Sequence, residues 1–122
     1  MESAQKRKQR KFRFTAPMHE RQGFASAHIS KELATKLGIR KRSVQVRKGD
    51  TVKVMAGDNK GKTGKVSDVN LLKGTVSIDG IIRKNAKGKE LPIPINASNV
   101  YITDMDMTDK QRQAKMESFK KK

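Results

Sequence analysis

The sequence predicts a small, mainly β domain with basic extensions, and residues 47–73 provide the first reason. Within this stretch, Val52, Val54 and Ala56 recur at every second position, the period of a half-buried strand. A charged, glycine-rich turn follows, and residues 64–69 resume an apolar alternation. Strand, turn and strand in this order indicate a β-hairpin.

Further short strands follow the hairpin at close spacing, which is the second reason. Pro92 and Pro94 alternate with the apolar residues of one of them, over residues 91–95. Because proline has no N–H to donate, this strand is predicted to lie at an edge. The other strands are predicted over residues 75–79, 81–84 and 100–103, with a hairpin loop over 85–89. Five or six short strands together predict an SH3-like barrel over residues 47–104.

The charge of the chain is the third observation. Among 122 residues there are 29 Lys and Arg against 12 Asp and Glu, a net charge of +17. Residues 1–48 hold 14 basic and 3 acidic residues, so +11 of the charge precedes the barrel. This excess indicates a polyanionic partner. The sequence has neither a long apolar run nor the apolar segment of a signal peptide, so we expect a cytosolic protein without a membrane partner.

The N-terminal extension, residues 1–46, is predicted to begin with a basic arm. Residues 1–14 carry six basic side chains, with Phe12 and Phe14 at alternate positions and no strand or helix period. We expect this arm to bind phosphates and to contribute little to folding. Two alternatives remain open: a solvated tail, or an arm whose two rings fill a groove on the barrel.

The same extension is predicted to contain one short helix, residues 30–38. Ser30 is a suitable N-cap, Leu33 and Leu37 share one face, and Gly38 is placed to end the helix. Two turns are unstable alone in water, so the leucine face must pack on the barrel or on a partner.

Residues 105–122 are predicted to form a basic, partly helical C-terminal tail. Thr108 and Gln111 fit a capping box for a helix that ends near Phe119. The apolar residues of this helix form no clear stripe. We therefore expect the molecule that the protein binds to stabilise it.

The sequence predicts neither an enzyme nor a cofactor or metal site. Residues 57–63 end in GKT, but their glycine spacing is one residue too short for a phosphate-binding loop, and a strand follows where a helix is required. His19 and His28 are nine residues apart, and the chain has no cysteine to join them. Asp50 is interpreted as a turn or strand-end residue. Tyr101 is expected to face away from the barrel interior, where it could stack on a base or pack beneath a tail, and packing is the favoured alternative.

The hairpin region resembles a KOW motif, a segment found in RNA-binding proteins of ribosomes and of the transcription elongation apparatus. The matching residues are Lys48-Gly49-Asp50, Val52, Val54, Gly57, Lys60-Gly61, Gly64-Lys65-Val66 and Val69. The motif alone does not distinguish these two classes of protein.

A wider resemblance extends over nearly the whole chain. The sequence resembles the archaeal type of the universal large-subunit ribosomal protein number twenty-four, whose eukaryotic members are numbered twenty-six. Beyond the KOW motif, the matching residues are Arg10-Lys11, Phe14, Ala16-Pro17, His19, Arg21, Ser30-Lys31-Glu32-Leu33, Arg47, Lys84, Gly88, Pro94-Ile95, Ser98-Asn99-Val100 and Ile102. Ala27-His28-Ile29 stands where family members often have Ala-Pro-Leu, which leaves the start of the short helix open.

The resemblance implies a structural constituent of the large ribosomal subunit that binds the 5′ domain of large-subunit rRNA. It also implies a role early in subunit assembly and a position near the nascent-peptide tunnel exit. The implied partners are rRNA and neighbouring ribosomal proteins, with the nascent chain and exit-site factors as further candidates, and we expect no homo-oligomer. The few aromatic residues favour recognition of RNA through its backbone and shape.

Two other classes of protein fit the sequence less well. A transcription elongation protein should carry a separate mixed α/β domain before the barrel, and a DNA-compacting barrel should bind through an exposed strand face. Only an arm and one short helix are predicted before the barrel here, which disfavours the first class, and the charge lies chiefly in arms and turns, which disfavours the second. The residues predicted to contact rRNA are Lys6, Arg7, Lys8, Arg10, Lys11, Arg13, His19, Arg21, Arg40, Lys41, Arg42, Arg47, Lys48, Lys60, Gly61, Lys62, Gly64, Lys65, Lys84, Lys87 and Lys89.

Overall fold

The structure, a computed structural model, describes residues 3–120. Over this range it contains nine strands and four α-helices, with two short 3-10 helices at Gln22–Phe24 and Ala97–Asn99. The helices are α1 (Lys6–Thr15), α2 (Met18–Arg21), α3 (Lys31–Leu37) and α4 (Lys110–Ser118). The strands are β1 (Ser26–Ile29), β2 (Ser43–Gln45), β3 (Thr51–Val54), β4 (Thr63–Asn70), β5 (Thr75–Ile78), β6 (Ile82–Lys84), β7 (Glu90–Pro92), β8 (Ile95–Asn96) and β9 (Val100–Asp104).

Seven of these strands form one sheet in the order β2-β1-β9-β3-β4-β5-β8, and β6 pairs with β7 in a separate ribbon. All pairs are antiparallel except β1 with β9, which is parallel. The fold class predicted from the sequence, a small β-barrel-like domain with helical N- and C-terminal regions, is confirmed.

The core consists of the alternate residues of the central strands. The side chains with almost no exposed surface include Val52, Val54, Val76, Ile78, Val100 and Ile102. Ala56, which was predicted to continue this face, is exposed instead. Strand β3 ends at Val54, and the glycine turn has already begun two residues later.

The N-terminal extension contains more structure than the single helix predicted from the sequence. Strand β1 pairs with β2 and also, in parallel, with β9, so that the extension supplies two strands of the sheet. Ala27 and Ile29 are buried on either side of an exposed His28. The His28 ring lies 5.8 Å from that of Tyr101, so Tyr101 packs against a neighbouring strand, β1, where a tail was expected.

Helix α3 confirms the short helix predicted over residues 30–38. The Ser30 hydroxyl accepts a hydrogen bond from the Leu33 N–H at 3.2 Å, and Gly38 ends the helix in the left-handed conformation with φ of 65°. Leu33 is buried. The Ala27-His28-Ile29 segment, which differs from the usual Ala-Pro-Leu of the family, is the end of strand β1. The helix therefore begins directly after a strand, with Ser30 as its N-cap.

The strand predicted over residues 91–95 is divided in two. Residues up to Pro92 belong to β7 in the ribbon, whereas Ile95 begins β8, the last strand of the main sheet. Pro94 lies between the two strands. The predicted edge position is confirmed, because β8 has a neighbour, β5, on one side only.

The C-terminal tail packs on the body of the protein, contrary to the prediction that a binding partner would stabilise it. Arg112 of α4 is 4% exposed and pairs with Asp50, which is fully buried. Met116, one turn further along, is also buried. The α4 N-cap is Asp109, whose side chain accepts from the Gln111 N–H at 2.9 Å, and not Thr108. Asp50 is therefore the anchor of the tail and more than a turn residue.

Candidate nucleic-acid interface

The basic arm is helical, which corrects the expectation that it has no regular structure. Helix α1 carries Lys6, Arg7, Lys8, Arg10, Lys11 and Arg13, and all six side chains are exposed. None of the residues of the helix is buried, and its first turn contains no acidic residue. The arm thus presents its six cations on a rod about 15 Å long.

Phe12 and Phe14 have different environments. The Phe12 ring packs edge-on against Phe24, with centroids 6.3 Å apart, whereas Phe14 is 81% exposed. Two residues along an α-helix differ by about 200° in direction. The alternation read from the sequence would have placed both rings on one side. Only the first of them attaches the arm to the body of the protein.

Arg21 connects the arm to the sheet. Its guanidinium donates to the carbonyl oxygens of Ala16, at 2.7 Å, of Phe14, and of Leu72 in the β4–β5 turn, at 3.3 Å. Arg21 is half-buried, unlike the other basic residues of the predicted set, and its role is at least partly structural. His19, on α2, is exposed.

The cluster Arg40, Lys41 and Arg42 meets the end of the C-terminal tail. The Arg40 N–H donates to the Phe119 carbonyl at 2.9 Å, and the Lys41 ammonium lies 4.4 Å from the centre of the Phe119 ring. Lys120 forms an isolated bridge with Ile39. The structure therefore adds Lys120 to this basic surface. No sequence signal could have placed it there, because the contact joins two distant parts of the chain.

Arg47 and Lys48 are engaged in ion pairs within the chain. Arg47 pairs with Asp109, and this hydrogen bond, helped by the Gln111 N–H, lowers the pKa of Asp109. Lys48 lies 3.2 Å from Asp68, and its hydrogen bond lowers the pKa of that carboxyl. Among residues 3–120, these two are the only members of the predicted set that form ion pairs.

The glycine turn between β3 and β4 presents Lys60 and Lys62 to solvent, and Lys65, on the following strand β4, is exposed as well. Gly61 has φ of 90°, so this position requires glycine for its backbone conformation. Gly64 does not have a positive φ. A Cβ atom there would lie 2.6 Å from the Asp79 carbonyl oxygen, so this glycine permits a close approach of β4 to the chain's own backbone, and no RNA contact is needed to explain it.

The last predicted residues are Lys84, at the end of β6, and Lys87 and Lys89, in the loop between β6 and β7, and all three are exposed. The Asn85 side-chain oxygen accepts from the N–H groups of Lys87 and Lys89, at 3.0 Å each. Gly88 has φ of 80°. The loop is therefore held in shape by its own hydrogen bonds, and the predicted hairpin is confirmed.

The arrangement suits the binding of a polyanion. Every Lys and Arg of the predicted set except Arg21 is exposed, on a helix, on loops and on strands. Within the described range, no three His, Asp or Glu side chains lie close enough together to bind a metal ion. None of the helices described is long and apolar enough to span a membrane.

Comparison with known proteins identifies the family. A family model described as the ribosomal proteins L26 of eukaryotes and L24 of archaea matches residues 3–118. The large ribosomal subunit protein uL24 of Methanosarcina barkeri is 50% identical over 112 residues, which cover 92% of this chain and 95% of that protein. The uL24 protein of Saccharolobus solfataricus is 44% identical over 121 residues, 99% of this chain and all of that protein. The resemblance read from the sequence is confirmed: the chain belongs to the family of eukaryotic L26 and archaeal L24 ribosomal proteins.

Proposed function

We propose that this protein is a structural constituent of the large ribosomal subunit, located in the cytoplasm as part of the ribosome, and that it binds large-subunit rRNA through backbone and shape contacts. Its family is one of structural proteins and not of enzymes. The observation that carries the proposal is α1, a helix with six exposed cations and no acidic residue in its first turn. The residues predicted from the sequence to contact rRNA form the proposed interface.

The charge distribution of α1 disfavours the helix unless anions are near. Lys6 and Arg10 are four residues apart, as are Arg7 and Lys11, and like charges at this spacing repel each other. Positive charge in the first turn also opposes the helix dipole. Phosphate groups along the helix would neutralise the repulsion, so binding to RNA and stability of the helix support each other.

The basic loops extend this interface over the barrel. The glycine turn, the β6–β7 loop and the Arg40–Arg42 cluster each present exposed cations from a backbone that internal hydrogen bonds hold in place. Loops fixed in this way fit the phosphates of folded RNA at low entropic cost and read its shape more than its bases. On the family resemblance, we propose that the bound RNA is the 5′ domain of large-subunit rRNA and that binding occurs early in subunit assembly.

We propose, on the family resemblance, that the protein lies near the nascent-peptide tunnel exit. Neighbouring ribosomal proteins would then be further partners, with the nascent chain and exit-site factors as candidates. The β6–β7 ribbon is the best-placed element for such contacts, because it pairs only with itself and exposes both of its strands.

Binding of a 5′-domain rRNA fragment at several salt concentrations tests the proposal. The double variant R7Q/K11Q should reduce the slope of log K against log salt by about 1.4 to 1.8 if both cations contact phosphates. The control K31Q/K36Q removes two exposed cations from α3, which lies outside the predicted set, and should leave most of the slope unchanged. Equal effects of the two variants, or equal affinity for an unrelated rRNA fragment, would show unspecific attraction and contradict the proposal.

A further inference from the structure

An apolar patch lies among arginines where α1 meets the β4–β5 turn. Phe14 and Leu72 are the two most exposed large hydrophobic residues of the described chain, at 81% and 64%. With Arg10, Arg13 and Arg21 they line a surface cavity of about 490 Å³, here called the Phe14 pocket. We propose that the Phe14 pocket receives one unpaired base of RNA, an inference that rests on the proposed rRNA binding.

Hydrogen bonds fix both apolar walls of the Phe14 pocket. Arg21 donates to the carbonyl oxygens of Phe14 and Leu72, and so joins the two walls through one guanidinium. The Asn70 side-chain oxygen accepts from the N–H groups of Leu72 and Lys73, at 3.0 and 3.3 Å, which holds the turn. These bonds hold the backbone segments that carry the two walls, so less conformational entropy remains to be lost on binding.

The exposure of the Phe14 ring follows from how α1 attaches to the body of the protein. Phe12 packs against Phe24, and the Arg13 guanidinium lies 5.2 Å from the centre of the same Phe24 ring. With these two residues in place, the helical repeat directs Phe14 elsewhere. The Phe14 ring therefore stays largely exposed. Leu72 is the other apolar residue that lines the pocket, and a planar group can cover the open face of the ring.

The charge around the pocket selects the class of ligand. None of the five lining residues is acidic, and neither Arg10 nor Arg13 forms an ion pair within the described chain. An apolar side chain of a protein would cover the ring but leave these guanidinium groups unpaired. An unpaired nucleotide provides a π-face for stacking on Phe14 and phosphates for Arg10 and Arg13, so it satisfies both kinds of group.

A single tryptophan can report on this site, because the natural chain contains none. We would titrate the variant F14W with the 5′-domain rRNA fragment and expect saturable quenching as a base stacks on the indole. The variant A114W, with its tryptophan on an exposed position of α4, is the control and should be quenched less. In parallel, F14A should weaken binding by roughly 5- to 150-fold, the range for loss of one stacked base.

The salt dependence separates this inference from the proposed function. F14A removes no charge, so the slope of log K against log salt should stay at the wild-type value, and F14W should restore the affinity. Wild-type affinity of F14A, with no quenching of F14W, would overturn the inference and leave rRNA binding intact. Quenching of F14W only in assembled subunits would also overturn it, in favour of a protein partner. If the wild-type protein fails to bind the fragment, both the proposed rRNA binding and the inference that rests on it are refuted.

Discussion

The buried ion pair between the KOW hairpin and the C-terminal tail leads to the strongest prediction for stability. The Arg112 guanidinium donates to both oxygens of the Asp50 carboxylate, at 2.6 Å each. Asp50 also accepts from the N–H groups of Arg47 and Asp106, at 3.0 and 3.1 Å, and Arg112 also donates to the carbonyl of Gln45, at 3.2 Å. Asp50 has no exposed surface and Arg112 only 4%. Replacing Arg112 by alanine would leave a buried carboxylate with two N–H donors and no counter-charge.

The expected loss is large on the scale of a small domain. Removing one member of a buried ion pair costs about 3 to 5 kcal/mol, because the remaining charge stays desolvated. Total unfolding free energies are about 5 to 15 kcal/mol, so R112A should lose a substantial fraction of the stability. The double variant D50L/R112M removes both charges, and it should lose clearly less than the sum of the two single variants D50L and R112M.

Urea unfolding followed by circular dichroism measures these differences. The control K115A alters an exposed residue of the same helix and should change the free energy of unfolding by less than about 0.5 kcal/mol. If R112A loses less than about 1 kcal/mol, or if the double variant is strictly additive, then the pair does not anchor the tail and the reasoning is refuted.

Four further predictions follow from single features. G64A should destabilise the protein by about 1 to 3 kcal/mol in urea, because the added methyl group would lie 2.6 Å from the Asp79 carbonyl oxygen and the backbone would have to shift; wild-type stability would contradict this. Deletion of residues 1–14 should flatten the salt dependence of rRNA binding by several units of slope. It should lower stability only through loss of the Phe12 and Arg13 contacts with Phe24, each worth about 0.5 to 1.5 kcal/mol; a full salt slope in a strongly destabilised protein would show that the arm is structural. Shortening the loop over residues 85–89 to two residues should leave the circular dichroism spectrum unchanged but alter crosslinks in assembled subunits, whereas loss of the fold would show that the loop is structural. The pKa of Asp109 is lowered, so its contribution to the stability of α4 should be complete above pH 3.8 and disappear as the pH falls through the lower folded value; an acid titration of the unfolding free energy of wild type and D109N checks this.

Local physics determined the parts of this protein that the sequence predicted correctly. The alternation of Val52 with Val54 places these side chains on one face of a strand whatever lies opposite. Ser30 and Gly38 set the ends of α3 through hydrogen bonds and a backbone conformation within a few residues. The family resemblance rests on the same kind of short, ordered motif. The prediction of a polyanionic partner rests on the excess of basic residues, which packing does not change.

Contacts between distant segments decided the rest. Asp50 and Arg112 are 62 residues apart, and nothing near either of them indicates that one is the counter-ion of the other. Gly64 is recognisable as a special position, but only the packing of β4 against the Asp79 carbonyl shows that the reason is space and not φ. Phe12 and Phe14 are equivalent in the sequence. Attachment of α1 to Phe24 buries part of the Phe12 ring and leaves the Phe14 ring exposed. The side chains of a helix point in different directions, and only the element against which the helix packs determines which of them are buried.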